Sequence, residues 1–196
     1  MLQVFSLLTV MVVAAVTPGP NNFIILSLGS SSGALATVRP ILGVLLGSVA
    51  MFLAVWFAAD FFLANLPRFR FAIGLIGCVY LVWLGLKLIR SAGHGGQSQG
   101  SSLPRGVLPL AFLQVVNPKT WMFTVAVVGA GVAREDDLLD LPLLLVAIMM
   151  VMGGCMALWA GAGAALASHL EKEGVRTWFD RLMGAALVVS APLILV

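Results

Sequence analysis

The sequence predicts an all-α integral membrane protein with six transmembrane helices, arranged as two inverted three-helix repeats in which helices 1 and 4 are broken. Three observations support this fold class. Of the 196 residues, 61% are hydrophobic and only 10% are charged, whereas soluble domains carry about 25% charged residues. The few charges fall between long apolar runs. Two proline motifs interrupt two of those runs.

The apolar runs define six predicted spans, most of them close to the roughly 20 residues that a helix needs to cross about 30 Å of hydrocarbon. The spans are Val4 to Leu28, Pro40 to Leu66, Phe71 to Ile89, Val107 to Val132, Leu141 to Leu166 and Trp178 to Val196. A signal peptide is the alternative for the first run. We reject it because no Lys or Arg precedes the apolar stretch and apolar residues resume at Phe23.

A Gly- and Ser-rich segment divides the spans three and three and has the composition of a flexible linker. The single transmembrane domain, residues 1–196, is therefore predicted to comprise repeat one (1–90), a linker (91–106) and repeat two (107–196). Because three is an odd number, the second repeat would enter the membrane from the opposite side.

Matched positions support the repeat. Pro18 and Pro118 lie one hundred residues apart. Further matches, at an offset of 110, are Gly43 with Gly153 and Gly74 with Gly184. In such an arrangement the two broken helices are expected to meet near the membrane midplane, where transporters of this architecture bind their substrates.

The first break is the motif Thr17-Pro18-Gly19-Pro20-Asn21-Asn22. Its prolines remove backbone donors and Gly19 permits a positive φ, so the chain is expected to unwind and expose carbonyl groups. Asn21 and Asn22 supply amide groups and are expected to cap the restarting helix, whose N–H groups and positive dipole end suit a carboxylate. The alternative is a structural kink between two ordinary helices.

The second break is Asn117-Pro118-Lys119, preceded by Gln114. Gln114 and Asn117 are three residues apart and share a helix face. A lysine at membrane depth is costly unless it is paired or hydrated, which favours a functional role; snorkelling to the interface is the alternative. The predicted substrate-binding residues are Thr17, Pro18, Gly19, Pro20, Asn21, Asn22, Gln114, Asn117, Pro118 and Lys119, and no catalytic residue, metal site or cofactor is predicted.

Other polar residues have structural interpretations. Asp60 is expected near the outer interface; the alternative is a group that takes up protons or pairs with a cation. Asp180 follows Arg176 by four residues, which predicts an ion pair on the helix surface. Cys78 and Cys155 lack metal-binding spacing and are expected to pack within spans. The net charge of +3 is typical of cytoplasmic loops and indicates no nucleic-acid partner.

The loop charges predict that both termini lie outside the cytoplasm, because cytoplasmic loops are enriched in Lys and Arg. In this orientation the cytoplasmic segments carry Arg39, Lys87, Arg90, Arg105, Lys172, Arg176 and Arg181, and the outer segments carry Arg68, Arg70 and Arg134.

The motifs at Thr17 to Asn21, at Tyr80-Leu81 with Leu84-Gly85-Leu86-Lys87, and at Gln114 with Asn117-Pro118-Lys119 together resemble the lysine exporter (LysE/RhtB) family of bacterial amino-acid exporters. The resemblance covers nearly the whole chain. It implies a secondary transporter of the bacterial inner membrane that exports amino acids, forms a homo-oligomer and exchanges its substrate for protons by antiport. It leaves the transported amino acid open.

The expected partners are an amino-acid substrate and the lipid bilayer. Because no acidic residue is placed securely within a span, neutral amino acids are favoured over basic ones, and the proton carrier is not identified. Two alternatives remain: an exporter of metal ions or other small cations, which needs carboxylate or thiolate ligands within the spans, and a non-transporting membrane scaffold, which does not need two matched polar breaks.

Overall fold

A computed structural model describes residues 9, 11–92, 103–132 and 140–191, and these ranges are helical apart from short connections and contain no strand. The helices are α1 (described at residues 11–16), α2 (Pro20–Ser32), α3 (Val38–Phe57), α4 (Ala59–Ser91), α5 (Val107–Val116), α6 (Pro118–Val132), α7 (Asp140–Leu166) and α8 (Glu173–Ser190). Two 3-10 turns, Ala34–Thr37 and Ala167–Glu171, precede α3 and α8. The predicted all-α class is confirmed for the described residues.

Several predicted features lie outside the described residues. They are most of the linker (93–102), the outer loop at 133–139, both chain ends and the side chain of Asp60. Within the described part, the segments Ala34–Phe57 and Leu141–Leu170 are long and apolar enough to cross a membrane, judged by length and composition. Shorter apolar helices, Val107–Val116 and Lys119–Val128, lie on either side of the second break.

The chain leaves the helix at both proline motifs. Residues 17–19 are not helical and α2 starts at Pro20, while Asn117 alone separates α5 from α6, which starts at Pro118. Proline is well suited to the first position of a helix because its missing N–H would have no partner inside the helix. Each motif therefore ends one helix and starts the next.

The predicted loop between the second and third spans, at residues 67–70, is wrong. The interruption falls instead at Ala58, and α4 continues through these residues for a total of 33, or about 50 Å. Arg68 and Arg70, which the prediction assigned to this outer segment, lie within the helix together with Pro67. Arginine is a good helix former, however, and a single proline can kink a helix without ending it.

Three interfaces account for most of the packing between helices: α2 against α7, α3 against α5, and α4 against α8. Buried side chains from all these interfaces form one main apolar core, which includes Ile24, Phe52 and Leu110. Large apolar side chains such as Leu158 and Trp178 remain exposed on the outside. Helices that are apolar on every face are typical of membrane spans.

The interface between α4 and α8 depends on two glycines that face each other. A Cβ atom on Gly85 would lie 2.5 Å from the carbonyl oxygen of Gly184, and one on Gly184 would lie 2.7 Å from the carbonyl oxygen of Gly85. Small residues at such contacts allow helix backbones to approach closely.

We predict that Gly85→Ala destabilises the protein by about 1–3 kcal/mol, because the added methyl group forces α4 and α8 apart. The measurement is the apparent Tm of the protein purified in detergent. Gly154→Ala is the matched control: its added methyl group meets nothing within 4 Å, so helix propensity predicts an unchanged or slightly higher Tm. Equal Tm values for the two variants would contradict the close contact.

Candidate functional site

The first break has an extended backbone at Gly19, where φ is −166° and ψ is −179°. The expected unwinding is confirmed, but Gly19 does not use the positive φ that glycine permits, and among the described residues only Gly33 has one. Gly19 instead provides space for the Lys119 side chain, because a Cβ atom here would lie 2.9 Å from Lys119 Cδ. The absence of a side chain, and not an unusual backbone conformation, is what this position requires.

The expected cap of α2 is also wrong. Gly19 is the N-cap residue and makes no side-chain cap bond. Asn22 Nδ2 donates instead to the carbonyl oxygens of Ala15 and Thr17, at 3.1 Å each. These carbonyls belong to the end of α1, where the break leaves the last C=O groups without partners along the helix. Asn22 thus stabilises the preceding helix across the break.

An asparagine cap occurs at the second break. Asn117 Oδ1 accepts a hydrogen bond of 3.1 Å from the Lys119 backbone N–H, which is the usual geometry of an asparagine at the N-cap position. The side chain of Asn117 is buried. The cap fixes the start of α6 and therefore the position of Lys119.

A reciprocal pair of amides joins the two breaks. Asn21 Nδ2 donates to Gln114 Oε1 at 2.8 Å, and Gln114 Nε2 donates to Asn21 Oδ1 at 3.1 Å. Gln114 is completely buried; its Nε2 also donates to the Leu110 carbonyl and its Oε1 accepts from the Thr120 hydroxyl, both at 2.8 Å. A buried polar network is stabilising only when its members are bonded in this way.

Lys119 extends from α6 to the first break, where its Nζ donates to the Thr17 carbonyl oxygen. The side chain is half-buried. The one ion pair among the described residues, between Arg176 and Asp180, does not involve it. The ammonium group therefore carries a positive charge that no described carboxylate balances, and such a group attracts an anion.

A small cavity lies between the two breaks. It is lined by Ala14, Ala15, Asn21, Asn22, Asn117, Lys119, Thr120, Phe123, Met152 and Met156. The cavity volume is about 30 Å³. This is enough for about two or three waters but not for an amino acid. The polar groups come from the breaks, and α7 supplies the two methionines.

The predicted residues divide into groups by position. Four of them, Asn21, Asn22, Asn117 and Lys119, line the cavity. Thr17 and Gly19 contact Lys119, and Gln114 is hydrogen-bonded to Asn21. Pro18, Pro20 and Pro118 flank the points where the helices break.

The sequence prediction omitted part of the cavity wall, namely Thr120, Phe123, Met152 and Met156. Thr120 immediately follows the second motif, so its position was a usable signal. The methionines belong to an apolar run of α7 and carry no signal of their own. Cys155, expected to pack within a span, is buried on the same helix and its Sγ donates to the Ala15 carbonyl at 3.0 Å.

A helical, strongly apolar chain with two broken helices meeting at a largely apolar cavity that carries a few polar side chains has the features of a membrane transport protein. The family model for LysE type translocators matches residues 12–196. The chain belongs to this family.

Two kinds of efflux protein are among its relatives. The chain is 32% identical to a cysteine/O-acetylserine efflux protein of Klebsiella pneumoniae over 163 residues, which cover 81% of this chain and 80% of that protein. It is 28% identical to a protein of the same description from Salmonella typhimurium, over 89% of this chain and 86% of that protein. A leucine efflux protein of an Enterobacter species is 26% identical over 56% of this chain and 54% of its own length. No solved structure matches the chain.

We predict that Asn21 and Gln114 are energetically coupled. Asn21→Leu or Gln114→Leu alone leaves a buried amide without its partner, which costs about 1–3 kcal/mol. Replacing both residues removes the two unpaired amides. The double variant should therefore lose less stability than the sum of the two single losses, by about 0.5–3 kcal/mol. Thermal unfolding of the four proteins in detergent measures the coupling. Additive losses would contradict direct contact between the breaks.

Proposed function

We propose that this protein exports neutral amino acids from the bacterial cytoplasm through the cavity between its two helix breaks. The observation that carries the proposal is the position of Lys119. Its ammonium group lies at a cavity that is also lined by Asn21 and Asn22 at the start of α2, with no described carboxylate as its counter-charge. Every amino acid carries a carboxylate that would fill this role.

The carboxylate would bind between Lys119 and the first N–H groups of α2. Those groups have no partner inside the helix, and the positive end of the helix dipole adds to the attraction. The substrate's amino group needs an acceptor. Asn22 is suited to that task because its Nδ2 is bonded to two carbonyl groups and its oxygen lies on the side chain that lines the cavity.

The remaining wall favours an uncharged substrate side chain. Phe123, Met152 and Met156 are apolar, and a basic side chain placed against them would lack a counter-charge. Methionine side chains adapt to different shapes, which suits a site that accepts more than one small neutral amino acid. The efflux of leucine and of cysteine or O-acetylserine by relatives agrees with this class of substrate.

Transport would require the cavity to open, because its present volume is too small for an amino acid. We propose alternating access by two inverted repeats. The main packing pairs are α2 with α7, α3 with α5, and α4 with α8. In terms of the predicted spans, these pairs are span 1 with 5, span 2 with 4, and span 3 with 6. Exchanging the halves, so that spans 1, 2 and 3 become 4, 5 and 6, converts this set of pairs into itself. An in-plane twofold relationship between the repeats would have this property.

Coupling to protons would supply the energy. One charge crossing a potential of about 150 mV releases roughly 3.5 kcal/mol, equivalent to a concentration ratio of about 300. The proposed location is the inner membrane, with six spans and both termini in the periplasm.

Growth on dipeptides tests export directly, because peptide hydrolysis raises the internal concentration of amino acids. Bacteria that express the protein should tolerate leucine-containing dipeptides better and release more leucine than cells without it. Asn21→Ala and Asn117→Ala should abolish the difference at equal membrane levels of protein. If no neutral amino acid appears faster outside expressing cells, the proposal is wrong.

We predict that Lys119→Met raises the KM for leucine by about 10- to 100-fold in reconstituted vesicles, since a hydrogen bond to a charged group contributes about 1.5–3 kcal/mol. Lys87→Met is the matched control, because Lys87 is exposed and its Nζ lies 5.2 Å from the Trp83 ring centroid. An unchanged KM in Lys119→Met would remove Lys119 from the substrate site.

A further inference from the structure

A buried carboxyl group lies in α8, away from the cavity residues. Asp180 is 1% exposed, and its Oδ2 lies 3.6 Å from Arg176 Nε. The ion pair predicted from their spacing is confirmed. Its predicted place on the helix surface is wrong, because the interface around α8 encloses the carboxyl group.

The pair is incompletely bonded. Neither Asp180 Oδ2 nor Arg176 Nε, both buried, has a hydrogen-bond partner. The Oδ2 atom has lost water and gained only the Arg176 charge at 3.6 Å in exchange, and protonation removes the cost of burying the charge of the carboxylate. A buried carboxyl group with one oxygen free of hydrogen bonds therefore suits the binding and release of a proton.

Arg176 connects this carboxyl group to the helix that carries the site. Its Nη1 donates to the Ser30 carbonyl oxygen at 3.2 Å, in the last turn of α2. The neighbouring Ser32 hydroxyl accepts from Arg105 Nη2, also at 3.2 Å. Cations are favourable at this end of a helix because the dipole is negative there. Two arginines, Arg105 near the end of the linker and Arg176 in α8, thus hold the end of α2.

The opposite end of α2 carries Asn21 and Asn22 at the cavity. The helix has 13 residues, or about 20 Å, and its displacement as a rigid body would carry both ends. A change at Ser30 therefore reaches the cavity through α2 without any contact between Asp180 and the substrate.

We propose that Asp180 is the proton-binding group of this transporter and that its charge controls a latch formed by Arg176 and the Ser30 carbonyl. The proposal rests on the proposed function as an amino-acid exporter. When Asp180 is ionised, Arg176 has a counter-charge and stays bound to α2. When a proton binds to a carboxylate oxygen, Arg176 loses that counter-charge in a partly buried position, which is unfavourable. The guanidinium group then moves towards water and releases α2.

The cycle is balanced, since one O–H bond forms when the proton arrives from one side and breaks when it leaves to the other. In the proposed orientation the latch lies at the cytoplasmic end. A proton that enters from outside and binds to Asp180 would open the cytoplasmic end. The proton would then leave to the cytoplasm, and an amino acid would bind.

Other ionisable groups lie on the elements that pack against α8, which are α4, α2 and the turn Ala167–Glu171. Those with described side chains are Cys78, Tyr80, Lys87 and Arg90 on α4 and His169 on the turn, while α2 has none. Lys87 and Arg90 are exposed. His169 lies 3.4 Å from the Ser168 hydroxyl and is the main competitor for the role of proton-binding group.

Reconstituted vesicles separate proton coupling from substrate binding. Leucine accumulation driven by a pH gradient should fall at least tenfold in Asp180→Asn. Exchange of labelled for unlabelled leucine at equal pH should remain and should lose its dependence on pH. His169→Gln should keep both the accumulation and the pH dependence of exchange.

Three outcomes decide against the proposal. Gradient-driven accumulation by Asp180→Asn at the rate of the unmodified protein would show that another group carries the proton. A pH dependence of exchange that disappears in His169→Gln would assign that role to His169. If Asp180→Asn does not elute as folded protein in size-exclusion chromatography, Asp180→Glu replaces it as the test. Because the carboxyl group that couples transport to protons has then been changed, the pH midpoint of leucine accumulation must shift. An unchanged midpoint would overturn the proposal. If the unmodified protein does not exchange leucine at all, that result would instead contradict the proposed function itself.

Discussion

Backbone groups released by a helix break inside the membrane must find hydrogen-bond partners within the protein, because lipid offers none. This constraint explains which polar residues the chain retains at its centre. Asn22 bonds the carbonyls at the end of α1, and Asn117 caps α6. The paired amides of Asn21 and Gln114 then lock the two breaks together. Without these bonds, both breaks would leave buried polar groups without partners, which is costly.

In the same arrangement, a few polar groups are not used to bond the breaks and are available to a ligand. Once the amides are used in bonding the breaks, the charge of Lys119 and the first N–H groups of α2 remain without an anionic partner among the described residues. Such a site suits a carboxylate on one side, and the apolar residues Phe123 and Met156 limit the other side to uncharged groups. Because α2 also ends at the Arg176 contact, the helix links binding at the cavity to events at its far end.

The all-α class and both breaks were predictable, because composition and proline act locally. Details that depend on neighbours were not. The cap expected at Asn21 and Asn22 occurs at Asn117, since a proline motif indicates where a helix restarts but not which side chains turn back across the gap. Met152 joins the cavity only through the packing of α7 against α2. The burial of Asp180 likewise follows from helix packing, which the spacing to Arg176 does not indicate.

Binding of leucine and of leucinamide to the purified protein tests most directly whether Lys119 recognises a carboxylate between the breaks. The two ligands differ only in the group that Lys119 would bind. By calorimetry the unmodified protein should bind leucine at least tenfold more tightly, and Lys119→Gln should reduce that preference to about threefold or less, given the strength of hydrogen bonds to charged groups. Equal binding of both ligands by the unmodified protein would contradict the account.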